Sequence, residues 1–204
     1  MLKETFVKLA SAYTDDNLLI NELWEEIEAA HSAPKRHYHT LKHLKNLLYQ
    51  LEAVKDQIQN WEAVLFTLYY HDIVYNPLKD NNEEKSAELA AARLSALAVP
   101  AGLFQLCKQQ ILATKRHLPD ADPDTNYFTD ADLSVLGQDW HVYSAYAEGV
   151  RKEYSIYPDL IYKPGRKKVL QHFLQMDRIY KTDHFYKMLE TSAKRNLQQE
   201  LDGL

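Results

Sequence analysis

Trp61-Glu62-Ala63-Val64-Leu65-Phe66-Thr67-Leu68-Tyr69-Tyr70-His71-Asp72 is the stretch on which the reading of this chain turns. Between Ala63 and Tyr70 only Thr67 interrupts the apolar run, so a helix here is apolar on most sides and belongs at the centre of a helical bundle. We read that helix as running from about Gln59 to Val74, with His71-Asp72 in its last turn. A carboxylate closing a buried segment is costly without a partner, and the partner it calls for is a cation.

The sequence on either side is also helical. Leu, Ala, Glu, Lys and Gln dominate, there are only five glycines, and strand signals are nearly absent, which predicts an all-α fold. Asp15-Asp16-Asn17 caps a helix carrying Leu19, Leu23, Trp24 and Ile27, ending about Ala30 before Pro34. Another begins near Thr40 and carries Leu41, Leu44, Leu48 and Leu51. Asn76-Pro77 ends the central helix, and Asn81-Asn82-Glu83-Glu84 opens the next, whose Ala-rich body runs from Ser86 to Ala98. Pro100 suits the first turn of a helix ending near Lys115. The segment His117–Asn126, with Pro119, Pro123 and several aspartates, reads as an exposed loop. Helices then open near Asp130, run from about Asp139 to Tyr154, follow Pro164-Gly165, and fill the tail from Asp183 to Leu201. No internal repeat, low-complexity stretch or linker-like shift appears, so one domain over residues 1–204 is expected.

Composition narrows the possible functions. With 204 residues, 46% of them hydrophobic, the chain can bury a substantial core. A net charge of -5 gives no global positive field that would favour nucleic acid. The single cysteine, Cys107, cannot form an internal disulfide and fits a reducing compartment. Met1-Leu2-Lys3-Glu4-Thr5 is acidic within its first turns and leads into no apolar core, unlike a secretory signal. No segment approaches the roughly 20 apolar residues that span a bilayer. The expectation is a cytoplasmic protein with neither nucleic acid nor membrane as partner. Its oligomeric state is open, because the same apolar stripes serve a monomer core or a helix pair.

Three separated segments carry residues that could hold a metal. Tyr38-His39-Thr40-Leu41-Lys42-His43 places two histidines four apart on one helical face, His71-Asp72 adds an imidazole and a carboxylate, and Asp130-Ala131-Asp132 adds an acidic pair running into apolar sequence. Imidazole and carboxylate together form a mixed set that accepts Mn, Mg, Co, Ni, Fe or Zn as the divalent ion. Taken singly each has a plain explanation: an i,i+4 pair arises by chance among nine histidines, and Asp72 or Asp130 serves equally as a cap.

The order His43, His71-Asp72, Asp132 resembles the HD superfamily of metal-dependent phosphohydrolases. The resemblance implies an all-α helical bundle in which these four residues bind one divalent ion. Tyr38-His39-Thr40-Leu41-Lys42-His43 is also similar to the opening of cyclic-nucleotide phosphodiesterases, which implies that His39 is the general acid and His43 a ligand. A small bacterial group of HD phosphohydrolases is similar along nearly the whole chain. It matches at Arg36-His37-Tyr38-His39, His71–Tyr75, Asp80–Glu83 with Ser86-Ala87, Ala113-Thr114-Lys115 with His117, Asp130–Gly137, and Phe173 to Leu197. Either Asp130 or Asp132 could take the ligand position; Asp132 is preferred because its Ala-Asp-Leu context resembles the one in which that family places the ligand, while a helix N-cap is the plainer role for Asp130. Phosphodiesterases carry a further histidine three positions after the doublet aspartate, where this chain has Tyr75. One ion is therefore expected, with His117 available to a second.

The activity implied is hydrolysis of a phosphate ester on a small molecule, nucleotides being the leading substrate class. In that scheme His39 protonates the leaving group, Asp72 or Asp132 takes a proton from water, Glu83 orients the water and Lys115 stabilises developing charge. Arg36, Tyr38, Lys115, Arg116, His117 and Arg166 are the candidates for substrate contact, Arg166 as part of the basic rim Tyr162–Lys168. The alternative is a non-catalytic HD module that senses a nucleotide or serves as a helical interaction domain. Oxidative di-iron chemistry, a third class, needs more histidines than this set contains.

Overall fold

A computed structural model describes residues 1–204. It is all-helical: α1 (Leu2–Ala10), α2 (Asn17–His31), α3 (Leu41–Ala53), α4 (Trp61–Tyr70), α5 (Asn82–Ala96), α6 (Ala101–Ala113), α7 (Pro123–Asp132), α8 (Trp140–Glu153), α9 (Asp159–Gln175) and α10 (Asp183–Gly203), with short 3₁₀ turns at Lys55–Gln57 and Leu133–Gly137. No helix is long and apolar enough to cross a membrane. Contacts group the chain into two units, Met1–Thr129 and Asp130–Leu204, and the boundary between them falls inside the last turn of α7.

In the first unit α4 is the central helix the sequence predicted. All eight residues from Ala63 to Tyr70 are buried, and α1, α3, α5 and α6 each pack against this helix. The one polar residue in the run is satisfied: the Thr67 hydroxyl pairs with the Ala63 carbonyl (2.8 Å) and the Gln110 side chain (2.7 Å). An aromatic cluster joins α1, α2 and α4, with Phe6 edge-on to Tyr69 at 5.1 Å and tilted against Trp24 at 6.1 Å. Two boundaries differ from the expectation. α4 stops at Tyr70, so His71 is its C-cap and Asp72 lies in the turn beyond it. α3 starts at Leu41 after Thr40, which leaves His39 in the bend before the helix rather than on a shared face with His43.

The segment read as an exposed loop is helical from Pro123, and α7 ends near Asp130 instead of opening there. Proline suits a first helical position because its missing N–H would be unpaired anyway. The Asp122 carboxylate accepts the Thr125 N–H at 3.1 Å, and buried Asp124 accepts the Gln59 and Asn60 N–H groups at 2.9 and 2.7 Å. Aspartates that looked like loop polarity therefore start α7 and tie it to α4. Helix α1, which the sequence reading did not predict, packs against α2 and α4.

His31, at the end of α2, is buried; its ring nitrogen Nδ1 donates to the Ile27 carbonyl at 2.9 Å, and its Nε2 has no partner. Burial, then the nearby Arg36 charge, lowers its pKa from 6.5 to about 3. The unfolded chain protonates this ring below 6.5 whereas the folded chain keeps it neutral, so unfolding takes up a proton in the window between those values. Stability is then full above 6.5 and falls as pH drops toward 3, by an amount on the order of a few kcal/mol. His31→Leu is expected to flatten that acid limb. Denaturant midpoints of both proteins at about pH 7 and about pH 5 measure it, and an equally steep fall in the variant would show that other groups carry it.

The second unit is built on α8, α9 and α10, with α10 packed against α9 and the 3₁₀ turn Leu133–Gly137. Gly137 lies so close to Leu189 that an added Cβ would meet the Leu189 Cβ at 2.6 Å, so this crossing requires glycine. Two carboxylates organise the chain ahead of α10. Asp130 accepts the Lys181 and Thr182 N–H groups at 2.9 and 2.7 Å, and Glu190 accepts those of Ile179 and Tyr180 at 3.1 and 3.2 Å. Pro164-Gly165, read as a turn before a helix, lies within α9, with proline on its exposed side.

Candidate metal centre

Three side chains of the first unit converge where α3 passes the end of α4. The Nε2 atoms of His43 and His71 are 3.1 Å apart, Asp72 Oδ2 is 3.1 Å from His71 Nε2, and it is 3.9 Å from His43 Nε2. In the plane of three atoms so spaced, the point equidistant from them lies about 2.0 Å from each, within the range of a transition-metal bond to nitrogen or carboxylate oxygen.

Proton accounting points the same way. His71 Nδ1 lies 3.1 Å from the Leu68 carbonyl, which can only accept, so that nitrogen carries the proton. Its Nε2 is thereby turned toward the Asp72 carboxylate oxygen and the His43 Nε2, each 3.1 Å away. The Leu68 carbonyl is one of the orphan acceptors at the end of α4, so the helix terminus itself orients the ring, as outer partners of metal-bound histidines do. Both imidazoles are nearly inaccessible, at 6% and 1% exposure, while Asp72 faces partly outward. Two imidazoles and a carboxylate on a common point fit a divalent cation.

α7 supplies a further carboxylate. Phe128 packs edge-on against the His71 ring at 5.5 Å, and Asp132 follows one helical turn later on the same face. The ligand atoms of His43, His71 and Asp132 all lie within 4.8 Å of one another, and these residues could hold a metal ion. Asp130, two residues earlier, is fully buried and turned to the backbone of Lys181 and Thr182, which separates the roles of the two aspartates.

His39 reaches this group from the bend before α3, with Nε2 3.8 Å from Asp72 Oδ2 and its ring 6.0 Å from that of His43. It is enclosed by aromatic side chains: Tyr75 lies against it at 4.3 Å and 33°, and Tyr38 meets it edge-on at 4.9 Å. Tyr75 was noted in the sequence only as a histidine's replacement, and its role as a wall for His39 had no signal there. Tyr38 also contacts the His43 ring at 5.0 Å. Arg36 donates to the carbonyls of His39 (3.2 Å), Asp72 (2.7 Å) and Ile73 (2.9 Å), so its guanidinium braces the bend and the turn against each other.

The other candidates lie on or beyond the margin. Lys115 donates to Glu84 and to the Asp80 carbonyl, both at 2.5 Å, and its ammonium is 4.0 Å from Glu83 in the first turn of α5. The hydrogen bond to Glu84 raises the Lys115 pKa. Arg116 lines a shallow surface hollow with Leu112, Leu118 and Pro119. His117 takes a left-handed backbone, φ 50°, and its N–H closes the end of α6 on the Ala113 carbonyl at 3.0 Å. Arg166 corrects the expected anion-binding rim: it is buried in the second unit, where its Nε and Nη2 donate to Glu200 at 2.7 and 2.8 Å. A guanidinium so committed is unavailable to a substrate, and only the neighbouring lysines of that stretch face outward.

The chain matches no protein-family model, no curated protein and no solved structure.

Proposed function

We propose that this chain is a metal-dependent phosphohydrolase of the HD type, acting on a phosphate ester of a small molecule, with nucleotides as the leading substrate class. The observation that carries the reading is the convergence of His43 Nε2, His71 Nε2 and Asp72 Oδ2 on one point at bonding distance, with Asp132 close by. These four residues hold the ion in this reading. Once bound, a divalent cation makes water a stronger acid and draws charge from a phosphoryl oxygen.

The protein's own groups handle the protons. A carboxylate oxygen of Asp72 or Asp132 accepts one from water as the water oxygen bonds to phosphorus, and His39 delivers one to the ester oxygen as its bond to phosphorus breaks. The 3.8 Å separation of His39 from Asp72 puts donor and acceptor on the same small site without a direct hydrogen bond between them. Tyr75 and Tyr38 fix the orientation of the donor ring. Glu83 and Lys115 lie together at the start of α5, where they can order water or meet a phosphate at the rim.

The test is a screen of nucleotides and simple phosphate esters with Mn, Co, Ni and Mg, run beside His39→Gln. The variant is expected to keep its metal and lose turnover by about 100- to 10,000-fold, the usual contribution of a positioned acid. A wild-type protein that binds metal and nucleotide yet turns over no ester with any ion would overturn the enzyme reading and leave a nucleotide-sensing module.

A further inference from the structure

The basic stretch that opens α9 is left out of the site above, and its surroundings have a distinct architecture. Ile156, Leu160 and Ile161 expose 62%, 88% and 59% of their surface, the largest clustered apolar exposure in the second unit. On α9 the positions 160, 164 and 168 follow one another down one face, so Leu160, Pro164 and Lys168 form an outward stripe with Ile161 beside it. Arg166 and Leu170 occupy the opposite, buried face. Lys163 and Lys167 border the stripe, and Lys152 of α8 lies nearby in sequence.

This apolar tip is not a frayed loop. The Arg151 guanidinium donates to the carbonyls of Tyr154 and Tyr157 at 3.1 Å each and to the Asp159 carboxylate at 2.7 Å, and it lies over the Tyr162 ring at 4.5 Å. The turn from α8 into α9 is therefore braced from inside, with tyrosines behind it and isoleucine and leucine in front. Asp159, the carboxylate in the turn, is paired with that same arginine, and Lys152 is paired with Glu148 at 3.6 Å, which leaves Lys163, Lys167 and Lys168 as the cations of the tip. Both arginines of the region are spent internally, Arg151 on the turn and Arg166 on Glu200, and every outward-facing cation is a lysine.

We propose that this tip is a docking surface for an anionic phospholipid bilayer, touching its interface without spanning it. A leucine 88% exposed has no protein wall beside it, so a rigid partner would need a matching hole, whereas lipid deforms around an inserted side chain. Lysines are mobile point charges suited to headgroups that move laterally, while fixed carboxylates on a protein partner favour the forked guanidinium. Tyrosines at the base of the tip suit the headgroup layer. The inference does not depend on the metal centre.

The experiment is co-sedimentation of the full chain with vesicles of phosphatidylcholine alone or of equal parts phosphatidylcholine and phosphatidylglycerol, at low and high salt. Partitioning onto the anionic vesicles is expected, lost in high salt and weak on the neutral ones. Each lysine is worth about fivefold, so K163Q/K167Q/K168Q should lower partitioning on the order of a hundredfold, while the Lys→Arg triple retains it. Leu160→Asp with Ile161→Asp should abolish binding with circular dichroism unchanged, and His71→Ala should leave it intact. No partitioning onto anionic vesicles, or partitioning that neither set of changes affects, overturns the proposal. A concentration-dependent dimer that Leu160→Asp dissolves, without vesicle binding, would also overturn it and assign the tip to a second copy of the chain.

Discussion

On the proposed function, alanine at position 71 is expected to abolish metal binding and, with it, all measurable phosphoesterase activity. His71 Nε2 is the hinge of the site, 3.1 Å from both His43 Nε2 and Asp72 Oδ2. Outer partners of a metal site typically cost 10- to 100-fold in affinity, so loss of a direct ligand should exceed about 100-fold. Helicity should survive, because His71 caps α4 rather than forming part of it and the neighbouring core from Ala63 to Tyr70 is untouched. Metal content by elemental analysis, read beside far-ultraviolet circular dichroism, checks both halves. Asp72→Asn separates charge from shape: it keeps the turn and is expected to lose most of the metal. A His71→Ala protein with a full complement of metal would show that the convergence is ordinary packing, and the hydrolase reading would fall with it.

The largest stability effect should come from Arg166. Its guanidinium is buried against Glu200, whose other contact is the Tyr143 hydroxyl at 2.5 Å, and Tyr146 lies 3.4 Å from Arg166 Nη1. Burial opposes the charge on Arg166, but the surrounding acceptors hold its pKa above the ordinary arginine value; the same pairing lowers that of Glu200. Arg166→Met leaves a carboxylate in a poorly solvated site with only a hydroxyl to answer it, which costs about 3–5 kcal/mol. The double variant Arg166→Met, Glu200→Leu removes both charges and should recover much of that loss, since the intact pair itself offsets little more than its own desolvation. Thermal or denaturant unfolding of the three proteins checks the ordering. A single variant as stable as the wild type would mean that water reaches Glu200.

The fold class was legible because its signals are local. An apolar run as long as Ala63–Tyr70 can only be central, and the caps and prolines punctuate the helices around it. Pro123 and Pro164 misled the reading for opposite reasons: the first begins a helix, and the second sits inside one where a missing N–H faces solvent. The residues of the metal centre were legible as types in order, but their geometry was not. His39 and His43 meet without sharing a helix, since a bend before Leu41 brings the first ring over the second. The distinction between Asp130 and Asp132 depends on which residues lie across from α7, and nothing in Asp-Ala-Asp encodes that. Arg166 was misread for a related reason: its basic neighbours suggest a solvated rim, and the carboxylate that claims it lies 34 positions away.

Arg36 ties two distant stretches of chain into one mechanical part. Because a single guanidinium grips the carbonyl of His39 and those of Asp72 and Ile73, the histidine in the bend and the carboxylate in the turn ride on the same bracket. The backbone of the bend cannot shift away from the turn without breaking that grip, so a change at Arg36 is felt at both places together.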